Sequence, residues 1–410
     1  MKQRGFGSIR VLFFISEYHR FHGAQRSLLQ LVRNLPSAGV EPVVVFPSEG
    51  RCTTAYREAG VNVDILPGPP LLTKFGKNLL DISLPRKFAT FSGQIVPYSF
   101  KIAAYMKQQQ AVLLHCIGPR SLLLAGYVPA LRGIPIVSHI RGFLTSYNRW
   151  QRFLLGALPS RIVFVSDSVR SELSRRFWGK SVTIYNGIDQ QAIQSADDSE
   201  RHLLFSKQEG TPVIVIIGAV VPEKGHHHLV RAACLVNQCL QGPRPRFIAL
   251  GECMDERYRR HLDRLIAQYR LDNFQLLGWR DNPFPYYHMS DIVVLPSVIR
   301  ERILTEEGPL EAQSGEGLPR TVLEAMYLGK PVVASEIAGV PEMVVNGETG
   351  YVVPPADPEK LAEAICHLLE SPDKRRVMGE AGATRVRSLF TTEVMVQKTV
   401  ALYRELVEKR

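Results

Sequence analysis

Apolar segments of strand length alternate with amphipathic helical segments along almost the whole chain, and this alternation constrains the fold more than any other feature. The strand segments are rich in Val, Ile and Leu without polar alternation, which is typical of parallel sheets covered on both faces. Between them, apolar side chains recur at helical spacing, as at Leu28, Leu31, Val32 and Leu35. Right-handed crossovers then give doubly wound α/β domains.

The pattern falls into two series, which is expected because 410 residues exceed one ordinary domain. The predicted strands are 9–15, 43–46, 61–66, 112–116, 134–140 and 161–165, then 213–217, 246–250, 274–277, 292–295 and 331–334. Residues 190–211 are polar and predict a linker with a surface helix. A late helix should begin at Pro358 with Asp357 as its N-cap.

The sequence therefore predicts two Rossmann-like domains, residues 1–190 and 191–390, facing each other across an interdomain cleft. Residues 391–410 are predicted as a C-terminal helix that packs back toward the N-terminal domain. Ligands should bind at the carboxyl ends of the strands. Such an architecture suits a transferase, an epimerase or a phosphorylase.

Composition predicts a soluble, cytoplasmic protein. Hydrophobic residues make up 45% and charged residues 22% of the chain, and its six cysteines form no C-x-x-C pair. No apolar run approaches the roughly 18 residues of a membrane-spanning helix. Residues 1–16 have the basic start and apolar run of a secretory signal, but Arg10 interrupts that run and no small-residue cleavage site follows. A first strand is favoured, with secretion as the alternative.

The net charge of +11 is unevenly distributed. Residues 1–200 contain 24 basic and 12 acidic side chains, whereas the remainder contains 26 and 27. An anionic membrane surface, an acidic acceptor or nucleic acid would suit the basic half, and solubility alone would also explain it. We favour an acidic acceptor or peripheral attachment to the inner face of a membrane. The candidate contacts are Lys74, Lys77, Arg86, Lys87, Arg149 and Arg152, interleaved with Phe75, Phe88, Trp150 and Phe153.

The segment Gly218–Gly225 is the strongest candidate for phosphate binding. It follows an apolar strand and opens a helix, so free backbone N–H groups and the helix dipole would favour an anion there. Lys224 adds a positive charge. The alternative is an ordinary strand-to-helix turn with a solvated lysine, because no Walker A pattern is present.

Two glutamates, Glu316 and Glu324, lie eight positions apart around a predicted helix start. Carboxylates accept hydrogen bonds from sugar and ribose hydroxyls. The alternative is that both are solvated surface acids. Gly339, in the segment Ala338–Glu342, would let a ligand approach the backbone closely.

In the first domain, Gly23 follows the first strand and His139 lies near the end of a later strand. Gly23 occupies the loop that corresponds to Gly218–Gly225 in the second domain. A lone histidine at a strand end is usually structural, so His139 is a candidate only with outside support.

Five segments in order resemble glycosyltransferase family 4, whose members are retaining enzymes of GT-B fold. They match its glycine-rich first loop, its hinge, its G-R-L-x-x-x-K-G loop, its E-x7-E signature and its closing glycine loops. These segments are Gly23-Ala24-Gln25, Ile184–Asp189, Gly218–Gly225, Glu316–Glu324 and Ala338–Glu342. The resemblance covers most of residues 181–390 and is looser before them.

The resemblance implies a role for each candidate residue. Lys224, in the same loop as the candidate Gly218, would neutralise the leaving diphosphate, and Glu324 would hold the ribose hydroxyls. Glu316, with the backbone of Gly339 and Val340, would hold the transferred sugar. Gly23 would let its loop approach the phosphates, and His139 would contact the donor sugar.

The implied donor is a UDP- or GDP-linked sugar, the acceptor is a glycan or a lipid-linked molecule, and no metal or other cofactor is expected. The leaving phosphate would take the acceptor proton, so no protein general base is assigned. A sugar-nucleotide epimerase, an inverting transferase and a non-enzymatic polyanion-binding protein remain alternatives. A dehydrogenase lacks support because no G-x-G-x-x-G follows the first strand, and no nucleic-acid module is visible.

Two departures from the family pattern stand out. Ala219 occupies the position where the family has arginine, so a bidentate guanidinium is missing. Residues 298–315 form an insertion, which we interpret as a mobile surface loop, or as a lid or a partner contact near the donor site. His226, His227 and His228 are not expected to bind a metal, because consecutive helical positions point about 100° apart.

Overall fold

The computed structural model describes residues 8–19, 21, 23–69, 89–144, 147–194 and 210–409. The chain divides into two compact units. Unit 1 comprises Met1–Gly187 and Thr392–Arg410, and unit 2 comprises Ile188–Thr391. The predicted contacts between Lys74 and Phe88 and most of the predicted linker lie outside the described residues.

Unit 1 contains a seven-stranded sheet in the order β3-β2-β1-β4-β5-β6-β7, and every pair of neighbours is parallel. The strands are β1 (Ile9–Ile15), β2 (Val40–Phe46), β3 (Val63–Ile65), β4 (Leu113–Ile117), β5 (Ile136–Ile140), β6 (Arg161–Phe164) and β7 (Ser181–Thr183). The chain therefore starts in the centre of the sheet and reverses its direction of growth between β3 and β4, which is the doubly wound pattern.

Helices cover both faces of this sheet. They are α1 (Gly23–Asn34), α2 (Arg51–Glu58), α3 (Val96–Gln108), α4 (Gly118–Ala125), α5 (Tyr127–Leu131), α6 (Arg149–Ala157) and α7 (Asp167–Arg170). Side chains of β1 alternate between the two cores: Phe13 packs with α1, and Phe14 packs with α3.

The last helix of the chain completes unit 1. Thr392–Glu408 packs against α1, and its buried Met395 and Tyr403 join the same core as Phe13. Burial of such a large apolar side chain stabilises the folded state by about 1.5–3 kcal/mol, so these contacts stabilise the packing of the helix in unit 1.

Unit 2 contains a second parallel sheet, of six strands, in the order β10-β9-β8-β11-β14-β15. Its strands are β8 (Val213–Ile217), β9 (Arg246–Leu250), β10 (Phe274–Gly278), β11 (Ile292–Leu295), β14 (Val332–Ser335) and β15 (Gly350–Val353). β12 (Arg300–Thr305) and β13 (Gly308–Gln313) form a separate antiparallel hairpin. The topological switch point of this sheet lies between β8 and β11.

The helices of unit 2 begin at α8 (Gln190–Gln194) and α9 (His226–Cys239). The others are α10 (Glu256–Gln268), α11 (Phe284–Met289), α12 (Arg320–Tyr327), α13 (Val340–Met343), α14 (Pro358–Leu369) and α15 (Pro372–Leu389), and Thr392–Glu408 in unit 1 is then α16. Asp357 caps α14 as predicted, since its carboxylate accepts a hydrogen bond from the Lys360 N–H.

All eleven predicted strands are confirmed, within a few residues at their ends. β7 and β15 were not predicted, because they have only three and four residues and their sequences contain Ser, Thr, Gly or Tyr.

The interpretation of residues 298–315 as a mobile loop is wrong, because most of the segment forms the β12–β13 hairpin, with Ile303 and Leu310 buried. Charged residues occupy the exposed alternate positions of this segment, so its sequence lacks the apolar run by which the other strands were predicted. Within the described ranges, no helix combines the length and apolarity needed to cross a membrane.

Candidate donor site

The loop after β8 forms a short 3₁₀ turn at Pro222–Lys224 and then enters α9 through Gly225. Gly225 has a φ of +70°, and a Cβ at this position would lie 1.9 Å from the carbonyl oxygen of Pro296. Glycine is therefore required both for the left-handed backbone and for the close approach of the loop that follows β11. The two loops at the switch point are in direct contact as a result.

The free backbone N–H groups that were expected in this loop are mostly occupied, which corrects the sequence prediction. The N–H groups of Gly218 and Val220 donate to the carbonyls of Leu250 and Glu252, both over 2.8 Å. Those of Val221, Lys224 and Gly225 donate within the loop itself. The side chain of Lys224 is therefore the main candidate for binding an anion in this loop.

Lys224 is oriented toward Glu316. Its ammonium group forms an ion pair with one carboxylate oxygen of Glu316, and the hydroxyl of Ser297 donates to the other oxygen over 3.3 Å. The two side chains of the ion pair are only 17% and 19% exposed. Partial removal from water strengthens such a pair, so both groups are held in place at the carboxyl ends of β8 and β11.

Glu324 lies on α12 and is fixed at both carboxylate oxygens. Arg320, one turn earlier, donates to one oxygen over 2.9 Å, and the hydroxyl of Tyr287 donates to the other over 3.0 Å. Tyr287 is fully buried, and burial, followed by the neighbouring charge of Glu324, raises its pKa well above the ordinary value. The predicted positions of Glu316 in a loop and Glu324 on a helix are confirmed.

The backbone N–H groups of Gly339 and Val340 both have partners within unit 2, and their contact with a sugar stays a prediction. The Gly339 N–H donates to the carbonyl of Gly317 over 3.0 Å, and the Val340 N–H donates to the carbonyl of Ile337 over 3.0 Å. These N–H groups stabilise the segment before α12 and the start of α13, so neither is an open donor for a sugar hydroxyl. The bond to Gly317 instead ties the glycine loop to the residue next to Glu316.

In unit 1, Gly23 is the first residue of α1, and its carbonyl accepts a hydrogen bond from the Ser27 hydroxyl over 3.2 Å. His139 lies in β5 and is 2% exposed, with its ring 5.3 Å from that of His115. Burial, and then the charges of Arg141 and His115, lower the pKa of His139 well below its ordinary value. His139 is therefore neutral at pH 7, and its contact with a sugar stays a prediction.

The three consecutive histidines at the start of α9 are all buried. The Nε2 atoms of His227 and His228 lie 3.2 and 2.9 Å from the same carboxylate oxygen of Glu301 on β12. His227 and His228 thus meet at one acceptor, whereas His226 does not join them, so the three histidines do not converge on one point. Burial lowers the pKa of His227 to about 4, although its hydrogen bond to Glu301 opposes that change.

Several residues that hold the candidate groups were not found from sequence. Arg320 had a usable signal, because it lies four positions before Glu324 at the spacing of a helical ion pair. Ser297 and Tyr287 carried no local signal, since they meet the glutamates only through the packing of β11 and α11. Tyr258 likewise reaches α9 from α10, where its hydroxyl accepts the His227 N–H over 3.2 Å.

Solved structures share the fold of this chain. A glycosyltransferase from Rickettsia africae aligns with a TM-score of 0.78 at 18% identity, covering 99% of this chain and all of that one. HepE from Anabaena, in complex with UDP, aligns with a TM-score of 0.75 at 18% identity, covering 97% and 100%. The predicted GT-B fold is confirmed.

Two family models match consecutive parts of the sequence. The model described as "Glycosyltransferase Family 4" matches residues 21–192, and the one described as "Glycosyl transferases group 1" matches residues 201–385. The chain belongs to glycosyltransferase family 4, and it is a glycosyltransferase. The alternatives of an epimerase and a polyanion-binding protein have no support.

Characterised relatives are distant. An alpha-D-kanosaminyltransferase of Streptomyces kanamyceticus is 23% identical over 317 residues, covering 71% of this chain and 76% of that protein. A GDP-mannose-dependent phosphatidylinositol monomannoside mannosyltransferase of Corynebacterium glutamicum is 29% identical over 216 residues, covering 52% and 53%. The match thus spans about half the length of the second relative.

Proposed function

We propose that this glycosyltransferase moves a sugar from a UDP- or GDP-linked donor to a hydroxyl of a glycan or lipid-linked acceptor, with retention of configuration at the anomeric carbon. The ion pair of Lys224 and Glu316 is the observation that carries the proposal. It places a partly buried cation and a carboxylate together at the switch point of the unit 2 sheet. Open α/β sheets bind their ligands at this position.

Each group has a role that follows from its chemistry. The ammonium of Lys224 neutralises the charge that develops on the diphosphate as the glycosyl bond breaks. Glu316 accepts hydrogen bonds from hydroxyls of the transferred sugar. Glu324 accepts them from the ribose, because a carboxylate has about four acceptor sites and Arg320 and Tyr287 use only part of them.

The proposed reaction needs no protein base. The acceptor hydroxyl attacks from the face that the diphosphate leaves, and the departing phosphate oxygen takes the acceptor proton. Lys224 therefore acts electrostatically, and the chain's main contribution is to hold the donor in a fixed position.

The names of two relatives motivate a first comparison of UDP with GDP. HepE was crystallised with UDP and also with UDP-glucose, and the Corynebacterium relative is named for GDP-mannose. The same lysine and carboxylate would serve either nucleotide, because they contact the diphosphate and the sugars, not the base. Calorimetric titration with UDP and GDP is therefore the first measurement.

Transfer itself is tested with the donor that binds, and the anomeric configuration of the product is determined by nuclear magnetic resonance. We expect Lys224→Ala and Glu324→Ala to lower donor affinity and transfer strongly while circular dichroism stays unchanged. Lys360→Ala is a matched control, since Lys360 is an exposed lysine on α14. Unchanged turnover in Lys224→Ala would contradict the proposed site.

We further propose that unit 1 contacts an anionic membrane surface from the cytoplasmic side when it meets a lipid-linked acceptor. Trp150 is 70% exposed and stacks on Phe153, and the guanidinium of Arg176 lies over the Phe153 ring at 4.7 Å. Arginine beside exposed aromatic rings suits the interface of an anionic bilayer. Sedimentation with vesicles tests this.

One predicted membrane contact has a different role in the structure. The guanidinium of Arg152 donates to the carbonyls of Tyr147 and Leu144 over 3.0 and 2.8 Å, so it fastens the start of α6. Arg149 is exposed on the same helix and stays a candidate. The six cysteines all lie in the described part of the chain and form no disulfide there, which fits a cytoplasmic location.

A further inference from the structure

Three potential metal ligands converge beside the Lys224 loop. The ligand atoms of His227, His228 and Glu301 all lie within 4.8 Å of one another, and both histidines present Nε2. The carboxylate oxygen of Glu301 is 3.2 and 2.9 Å from these two nitrogens. In a tetrahedral zinc site with bonds of about 2.0–2.1 Å, neighbouring ligand atoms are separated by similar distances.

The surroundings of the three side chains are also those of a metal site. The two imidazoles are 2% and 4% exposed, whereas Glu301 is 24% exposed and leaves an opening to solvent. The Nδ1 atom of His227 lies 2.8 Å from the hydroxyl of Tyr258. An outer partner of this kind fixes the orientation of a ligating histidine.

We propose that His227, His228 and Glu301 bind one divalent transition-metal ion of the zinc class. Two imidazole nitrogens and one carboxylate oxygen supply three ligands, and a water molecule supplies the fourth. Neutral imidazoles and a carboxylate form a donor set that suits zinc and its neighbours and not magnesium or calcium.

The bound ion would fix the position of the hairpin relative to the start of α9. His227 and His228 begin α9 directly after the Lys224 loop, whereas Glu301 belongs to β12. The base of the hairpin already meets this loop, because the Val298 N–H donates to the Glu223 carbonyl over 3.0 Å. Ile303 and Leu310 pack into the core of unit 2, and the ion pairs of Arg260 with Glu307 and of Arg264 with Glu306 lie at the surface near the tip. Such exposed pairs contribute little, so a metal would add a stronger polar link between the hairpin and α9.

The competing explanation needs no ion. Both histidines can carry a proton on Nε2 and donate to Glu301, which would also account for the distances. The two explanations can be told apart by measurement, because only a metal site gives saturable binding with one ion per chain.

The test uses the full chain without a polyhistidine tag, freed of metal with a chelator and then titrated with Zn²⁺. We expect one ion per chain, a higher melting temperature with zinc, and, with Co²⁺ as a probe, the strong visible absorption of tetrahedral coordination. Glu301→Gln keeps a hydrogen-bond acceptor but removes the charged ligand, and it should weaken binding at least about 100-fold. His228→Gln should do the same.

His367→Gln is the matched control, because His367 is an exposed histidine on α14 far along the chain from this group. It should bind zinc like the unchanged protein. Absence of saturable zinc binding would overturn the proposal, and so would equal binding by Glu301→Gln and the unchanged protein. Glu301 is partly exposed, so its variant should fold even if the His228 variant does not.

Discussion

The hydroxyl of Tyr287 donates a hydrogen bond to Glu324 over 3.0 Å from a fully buried position on α11. Arg320 holds the other oxygen of the same carboxylate. Because burial raises the pKa of Tyr287 well above its ordinary value, the hydroxyl remains a donor across the physiological range. The carboxylate is thus oriented before any ligand arrives, which would lower the cost of the proposed binding of a ribose.

We predict that Tyr287→Phe raises the KM for the donor by roughly five- to tenfold, the equivalent of one hydrogen bond, with little change in kcat. Glu324 keeps its charge and its contact with Arg320, but one oxygen loses its partner. Steady-state kinetics with varied donor measure the effect. Tyr286→Phe is the control, since Tyr286 is equally buried but accepts its hydrogen bond from Arg280. Equal KM values for the two variants would refute the orienting role.

The ion pair of Lys224 and Glu316 leads to a second prediction. Substitution of its two members should change the affinity for a nucleoside diphosphate in opposite directions. In Glu316→Gln, the lysine is no longer neutralised by a carboxylate, so a nucleoside diphosphate without sugar should bind more tightly. Transfer should fall, because the sugar loses a charged acceptor. Lys224→Ala removes the same ion pair but should weaken nucleoside diphosphate binding. Calorimetry with UDP or GDP measures both changes.

The opposite signs make this test specific. General damage to the loop would weaken binding in both variants, whereas the proposed roles require one gain and one loss. Tighter binding by Lys224→Ala, or weaker binding by Glu316→Gln, would show that the two residues have been assigned the wrong roles. Increasing salt should reduce the difference between the variants, because it screens the charges.

A third prediction concerns Ala219, which is partly exposed next to Gly218. Ala219→Arg should restore a guanidinium and tighten donor binding, since a hydrogen bond to a charged group contributes about 1.5–3 kcal/mol. Ala219→Gln has a similar reach without charge and serves as the control. Loss of binding in the arginine variant would mean that another cation already occupies this space.

Two glycines with similar backbone angles give a prediction on stability. Gly225 and Gly347 have φ values of +70° and +81°, but only at Gly225 would a Cβ overlap another backbone. Gly347→Ala should therefore cost only about 1–2 kcal/mol of left-handed strain, which lowers the melting temperature by a few degrees. Gly225→Ala should cost clearly more, because it pushes the Lys224 loop away from Pro296. Similar melting temperatures for the two variants would contradict the close approach.

How far the sequence predicts this molecule depends on whether a signal is local. Eleven strands of the two sheets, the cap at Asp357 and the placement of Glu316 and Glu324 follow from patterns within short segments. The partners of those glutamates do not, because Tyr287 and Ser297 reach them from other elements of unit 2. The convergence of His227 and His228 was missed for the same reason, since it depends on Glu301 in a hairpin that was not predicted.

The last prediction tests the membrane surface of unit 1. Trp150 and the neighbouring Phe153 and Arg176 present stacked rings and a cation on the outside of α6. The full chain should sediment with vesicles that contain anionic lipid at low salt and should be released at high salt, because each basic residue near such a surface contributes about 1 kcal/mol and salt screens it. Trp150→Ala should reduce the bound fraction. Trp279→Ala should not, because Trp279 is similarly exposed, at 54%, but lies in unit 2. Equal recovery in the supernatant with neutral and anionic vesicles at low salt would exclude the membrane, and a soluble acidic glycan would then be the acceptor to test.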